Sequence, residues 1–187
     1  MRNGSITFRL LKAIGLRVSE SEYGDVSVWA AIGKFYRKVR NTFLMKYCFN
    51  IALLAPFNSK KIRPAVLRWM GCKVGKGVFI GDNVVIDKNL PELITIGDNS
   101  YITGGTTILC HKRDISNYHK GMRLYDLPYK KAPVVIGEGC STGTNTIILP
   151  GVTIGNGVVI GAGSVVTKDI PAWTLAVGCP AKVVKNF

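Results

Sequence analysis

A chain of 187 residues with 47% apolar content is long enough to bury a core and too apolar for disorder. Its 25 lysines and arginines against 11 acidic residues give a net charge of +14, which favours acidic partners or anionic surfaces. Five cysteines (Cys48, Cys72, Cys110, Cys140 and Cys179), odd in number and without CxxC spacing, point to a reducing compartment rather than a disulfide framework.

The charge is uneven. Residues 1–73 hold 14 basic and 3 acidic side chains, whereas residues 74–187 hold 11 and 8. The predicted organisation is therefore a basic helical segment over 1–73 and a repeat domain over 74–187. Arg9 and Lys12 interrupt what would be the apolar core of a signal peptide, so none is predicted. No run of about 20 uncharged apolar residues is present to span a membrane. The expected location is the cytoplasm, with attachment to the inner membrane face left open.

Residues 26–55 read as a helix. Val28, Ile32, Phe35, Val39, Phe43, Tyr47, Ile51 and Leu54 fall near helical spacing on one face. Lys34, Arg37, Lys38, Asn41 and Lys46 fall mostly on the other, and Pro56 marks the expected end. Such a helix packs on the repeat domain or a neighbouring subunit, or it lies on an anionic membrane surface with Trp29 and Phe49 among its apolar anchors. No nucleic-acid-binding motif accompanies the basic charge. A short helix is expected after Pro64, closed by Gly71.

From Val74 a period of six takes over, which is neither the 3.6 of a helix nor a simple alternation. Aliphatic or small residues recur at Val74, Ile80 and Ile86, then at Ile96, Ile102 and Ile108. The same phase returns at Ile136, Thr142, Ile148, Ile154, Ile160 and Val166. Two positions before each of the latter stands a corner residue: Val134, Cys140, Thr146, Val152, Val158 or Ser164. One inward residue per short strand, and a turn before the next strand, describe a parallel β-helix with three strands per coil. The register slips by four between Ile86 and Ile96, with a bulge expected at residues 87–93 around Pro91. One long loop, residues 111–132, interrupts the repeat; an insertion of this length inside a compact domain is commonly functional.

Three runs carry a family resemblance: ILPGVTIG at 148–155, VIGAGSVVTKDIP at 159–171 and VGCPAK at 177–182. Over roughly residues 62–185 the chain resembles the hexapeptide-repeat acyltransferases, and within them the O-acetyltransferases of sugars and bacterial surface polysaccharides. The resemblance implies a mainly β, left-handed parallel β-helix, a homotrimer with active sites between subunits, and acetyl-CoA as acyl donor. It also implies that the long loop reaches toward an adjacent subunit.

Moving an acyl group from a thioester to a hydroxyl needs a base for the hydroxyl proton, and neutral imidazole suits the task. The segment TILCH at 107–111 resembles the family stretch that delivers the catalytic histidine, which makes His111 the expected base. The family often has a second histidine two residues on; here Arg113 stands there. His119, in the same loop, is a candidate for acceptor binding or for replacing His111. Ile86 and Ile108 are both the third step of their coils, so Asp87 is expected near His111, orienting the imidazole or contacting a sugar hydroxyl. Asn83 is a further candidate for the acceptor. The family's coenzyme A contacts carry over to Thr144, Ala162, Thr167, Lys168, Lys182 and Lys185, whose hydroxyl and ammonium groups can meet phosphates. The oxyanion donor is expected within residues 141–143. No metal is expected.

Three further readings compete. One is an N-acetyltransferase of an amino sugar or nucleotide sugar, another is an acyltransferase for serine or an antibiotic, and the third is a non-catalytic hexapeptide scaffold. Two histidines in the whole chain argue against the three-histidine zinc site of hexapeptide carbonic anhydrases.

Overall fold

The computed structural model describes residues 6–13, 15, 26–49, 51 and 57–187. Two compact units divide the chain at Met1–Asn41 and Thr42–Phe187.

Within the first unit lie a helix at Ile6–Ala13 and most of a second at Val28–Phe43. Trp29, Ile32, Phe35 and Val39 on the second helix are all exposed. Its sequence carries the basic residues Lys34, Arg37, Lys38 and Arg40 and no acidic residue. The helix expected over 26–55 ends sooner. After Phe43 the backbone widens into a π-helical turn at Leu44–Cys48, and Ile51 is not helical. The widened turn accompanies the burial of Leu44 and Phe49 in the core of the second unit. Leu54 and Pro56 lie outside the described residues.

The second unit is built of short parallel strands visited in threes. The first face stacks Lys73–Val74, Ile94–Ile96, Val134–Ile136 and Thr153–Ile154. A second face stacks Phe79–Ile80, Tyr101–Ile102, Ser141–Thr142, Val159–Ile160 and Thr174–Gly178. The third holds Val85–Ile86, Thr107–Ile108, Ile147–Ile148 and Val165–Val166. Every pair between successive coils is parallel, and the six-residue phase is preserved throughout: Ile80 pairs with Ile102, Thr142 with Ile160, Ile148 with Val166. This is a β-helix of three faces, mainly β, with helices confined to its approach.

The interior follows from the repeat. Ile80, Ile102, Ile108, Ile136, Ile148, Ile154 and Val166 are all nearly inaccessible. The corner residues Val134, Cys140, Thr146, Val152, Val158 and Ser164 are buried beside them. Buried hydroxyls are satisfied locally: Thr146 donates to the Gly143 carbonyl at 2.7 Å, and Thr106 and Thr142 share a 3.0 Å bond. The corners need left-handed backbone, which Asn83, Asn99 and Asn145 supply at φ 55, 55 and 60. Close approach decides Gly143, where a Cβ would fall 2.2 Å from the Ala162 nitrogen of the next coil.

The bulge at 87–93 contains a 3₁₀ turn at Pro91–Leu93. Its apolar residues do not project outward: Pro91 is buried, and Leu90 and Leu93 pack against the core. The helix Arg63–Met70, capped by left-handed Gly71, contributes Val66, Leu67 and Met70 to that core.

Each end of the stack is covered on part of its rim. Arg68 donates to the carbonyls of Val74 and Gly75, at the outer edge of the first face. The buried Arg63 donates to the Ile80 carbonyl at 3.0 Å, to the Phe49 carbonyl at 3.2 Å, and to Asp82. At the other end Ala181–Asn186 turns back antiparallel on Thr174–Gly178. Arg63→Leu strips the partners from two carbonyls of a buried junction. Urea denaturation should show a loss of about 2–3 kcal/mol, with the helical and β signals still melting together.

Candidate active site

Both departures from the six-residue repeat leave from the corner after the third face, on consecutive coils. Ile86 pairs with Ile108, and the Asp87 N–H donates to the Ile108 carbonyl at 3.1 Å. The bulge begins at Asp87; the long excursion begins three residues past Ile108, at His111. Their side chains meet: His111 Nδ1 is hydrogen-bonded to Asp87 Oδ2. The Asp87 side chain is 2% exposed, against 33% for the imidazole.

Asp87 is held before His111 reaches it. Its carboxylate also accepts from the backbone N–H groups of Cys110 and Asn89, each at 3.3 Å. An ionised carboxylate can only accept, so the proton of a neutral His111 sits on Nδ1. That leaves the Nε2 lone pair free, on a ring that reaches solvent. A buried carboxylate, an oriented imidazole and an open Nε2 form an arrangement able to take a proton from a hydroxyl.

Residues 111–132 are not structureless. His111–Arg113 and Tyr129–Lys131 form an antiparallel ribbon, and a 3₁₀ turn at Leu124–Asp126 shapes the far part. The polar and aromatic residues at both ends of the insertion pair across it. Tyr129, whose contact with the site no sequence pattern announced, lies beside the imidazole, the rings of His111 and Tyr129 being 5.1 Å apart, and Arg113 lies over the Tyr129 ring.

The other candidates are placed elsewhere. His119 is exposed, with Nδ1 3.1 Å from the Lys120 carbonyl oxygen, and shares no hydrogen bond with Asp87 or His111. Asn83 lies at the preceding corner, after the second face, and its left-handed turn accounts for the residue type. Thr144 and Ala162 meet on adjacent coils at that same corner, where the Gly163 N–H donates to the Thr144 carbonyl at 2.8 Å. Thr167 and Lys168 are exposed across the third face, at the corner that in earlier coils holds Asp87. Lys182 and Lys185 stand on the terminal antiparallel strand, with the Lys185 ammonium 5.4 Å from the Phe187 ring. Within residues 141–143 the N–H groups of Ser141 and Gly143 are already bonded to the carbonyls of Val158 and Ile160. Stacking of the next coil thus takes up two of the amides in that stretch.

Cys110 adjoins His111, and a cysteine beside a histidine invites a covalent mechanism. Burial, reinforced by the Asp87 charge, pushes its thiol up to about 12. It is fully buried, so it presents neither a thiolate nor access. Cys72 is likewise pushed up to about 12, mainly by burial. Among the described residues no group of three or more His, Cys, Asp or Glu side chains could hold a metal ion, and no helix is long and apolar enough to cross a membrane.

Residues 133–168 match the family described as bacterial transferase hexapeptide (six repeats), and residues 71–110 match the hexapeptide repeat of succinyl-transferase. The putative acetyltransferase YvoF of Bacillus subtilis is 34% identical over 150 residues, covering 80% of this chain and 78% of its own. The putative lipopolysaccharide biosynthesis O-acetyl transferase WbbJ of Escherichia coli is 36% identical over 123 residues, 60% of this chain and 63% of its own. A structure of galactoside acetyltransferase in complex with coenzyme A superposes with a TM-score of 0.62 at 25% identity, covering 82% of each chain.

The thiols separate by access. In the folded protein at pH 8, iodoacetamide should alkylate exposed Cys179 and spare Cys72 and Cys110, whose thiolate fraction is about one part in 10⁴. Peptide masses before and after adding denaturant read the difference.

Proposed function

The chain belongs to the hexapeptide-repeat transferase family and is an acyltransferase that uses acetyl-CoA; we propose that it transfers the acetyl group to a sugar hydroxyl in surface polysaccharide synthesis. The observation that carries the mechanism is the Asp87–His111 pair. His111 Nε2 takes the proton of the acceptor hydroxyl as its oxygen attacks the thioester carbonyl. The tetrahedral adduct then collapses, the C–S bond breaks, and the proton held by the imidazole passes to the departing coenzyme A sulfur. A thioester is activated enough that no acyl-enzyme is required. Asp87 fixes the tautomer and stabilises the imidazolium formed in transit.

The reading takes the β-helix as left-handed and the working unit as a cytoplasmic homotrimer. The exposed outward side chains of Tyr101 and Val85, on the second and third faces, support a partner covering them. Thr144 and Ala162 on one edge of the third face, and Thr167 and Lys168 on the other, are proposed to line the pantetheine and phosphate path, with Lys182 and Lys185 at its end. His119 and Asn83 remain proposed acceptor contacts. Similarity to WbbJ and to the galactoside O-acetyltransferase of Escherichia coli, both O-acetyltransferases by name, supports sugar O-acetylation over N-acetylation.

The decisive assay is acetyl transfer to a panel of mono- and oligosaccharides, read by product mass. His111→Ala should lower kcat/KM by about 10²–10⁴-fold, and Asp87→Asn, which admits the wrong tautomer, should lower it as well. Full activity of His111→Ala would sink the base assignment.

A second proposal rests on the helix Val28–Phe43, whose exposed Trp29, Ile32, Phe35 and Val39 accompany four basic side chains. This composition fits peripheral attachment to an anionic membrane, each basic residue near the surface adding about 1 kcal/mol. Co-sedimentation should rise with the anionic lipid fraction of vesicles and fall with Phe35→Glu; binding indifferent to lipid charge would count against it.

A further inference from the structure

The ribbon does more than carry His111 outward. Cross-strand pairing sets His111 opposite Lys131 and Arg113 opposite Tyr129. In an antiparallel ribbon, alternate residues and their direct partners share a face. His111, Arg113, Tyr129 and Lys131 therefore line one face, and Lys112 and Lys130 the other.

On the shared face three side chains are stacked in order. The Arg113 guanidinium lies over the Tyr129 ring, 4.0 Å from its centroid, and 5.5 Å from that of Tyr125. It is fixed there by donating to the backbone carbonyls of Tyr125, at 3.0 Å, and Leu127. Leu127 is buried, so the carbonyls that hold the guanidinium belong to an anchored stretch. The Tyr129 ring in turn meets the imidazole of His111 at 5.1 Å, with the ring planes at 76°.

This arrangement supplies what Asp87 alone does not. A hydrogen bond to Nδ1 tolerates a range of angles, so the ring can still tilt within that range. The Tyr129 ring against the imidazole narrows the tilt. Tyr129 is 44% exposed, so its contribution to the core is small. Its hydroxyl makes no hydrogen bond among the described residues, so the contact is made by the ring.

We infer that Tyr129, braced by Arg113, is a positioning residue that sets the plane of the His111 imidazole and so aims Nε2 at the acceptor. The inference rests on the proposed role of His111 as base. A misaligned base affects the chemical step while leaving substrate binding intact, because a small displacement of a reacting group is costly to rate.

The test is steady-state kinetics on the full chain, with acetyl-CoA and an acceptor found by the panel. Tyr129→Ala should lower kcat about tenfold, with both KM values within threefold and the thermal midpoint little changed. Tyr129→Phe should restore kcat to within threefold of wild type, since it keeps the ring. Arg113→Ala should lower kcat in the same direction. The Arg113→Ala/Tyr129→Ala double variant should fall no further than Tyr129→Ala alone, because one acts through the other. An unchanged kcat in Tyr129→Ala overturns the inference while the His111 assignment stands on its own variant. A Tyr129→Phe loss as deep as that of Tyr129→Ala also overturns it, since the hydroxyl would then be acting directly on substrate. If His111→Ala is fully active, the base reading itself falls, and the positioning role falls with it.

Discussion

Everything in the catalytic unit depends on the registry of one coil upon the next. A strand of two residues cannot stand alone; its backbone groups are satisfied by the same position of the adjacent coil. Extra residues must therefore leave the wall at a corner and return to the same corner, or every later side chain changes face. The two insertions here obey this rule at one place. Ile86 and Ile108 stack on the third face, and the chain departs after each. A bulge ending in Pro91–Leu93 and an excursion of over twenty residues thus begin side by side. The Asp87–His111 contact is the product of that coincidence, two positions far apart in sequence brought together by stacking.

That much was legible in the sequence, because periodicity of six is a property of the chain itself. The inward set from Ile80 to Val166 and the corner set from Val134 to Ser164 follow from counting. So does the expectation that Asp87 lies near His111. Counting could not reach the insertions' own conformations. Pro91 turns into the protein because the helix Arg63–Met70 leaves apolar surface there to cover, a tertiary demand with no local signature. The ribbon at His111–Arg113 is read poorly because its partner strand lies beyond an irregular stretch, and its residues are charged on both faces. Likewise counting does not show that the N–H groups of Ser141 and Gly143 are taken up by the next coil. The early end of the helix after Phe43 has the same origin: Leu44 and Phe49 answer to the core and not to the helical stripe before them.

The chemistry divides along the same line. The rigid wall supplies Asp87, whose carboxylate is fixed by two backbone N–H groups and excluded from water. The excursion supplies His111, one-third exposed to solvent. A base needs both qualities, a defined tautomer and an open nitrogen, and no single environment offers both. Cys110 marks the boundary between them: one residue before the imidazole, it is sealed in the wall with its thiol protonated.

A stack of parallel strands has no intrinsic last layer, since each new edge is a template for another. Left bare, the outermost strands at both ends would recruit identical strands from other molecules, and the protein would grow into a fibre. The guanidinium groups of Arg63 and Arg68 occupy carbonyls on one terminal rim. On the other, reversal of the chain at Ala181–Asn186 lays an antiparallel, lysine-bearing strand over the last parallel one on the second face. These contacts occupy part of each terminal rim and reduce the bare edge on which a further strand could be templated.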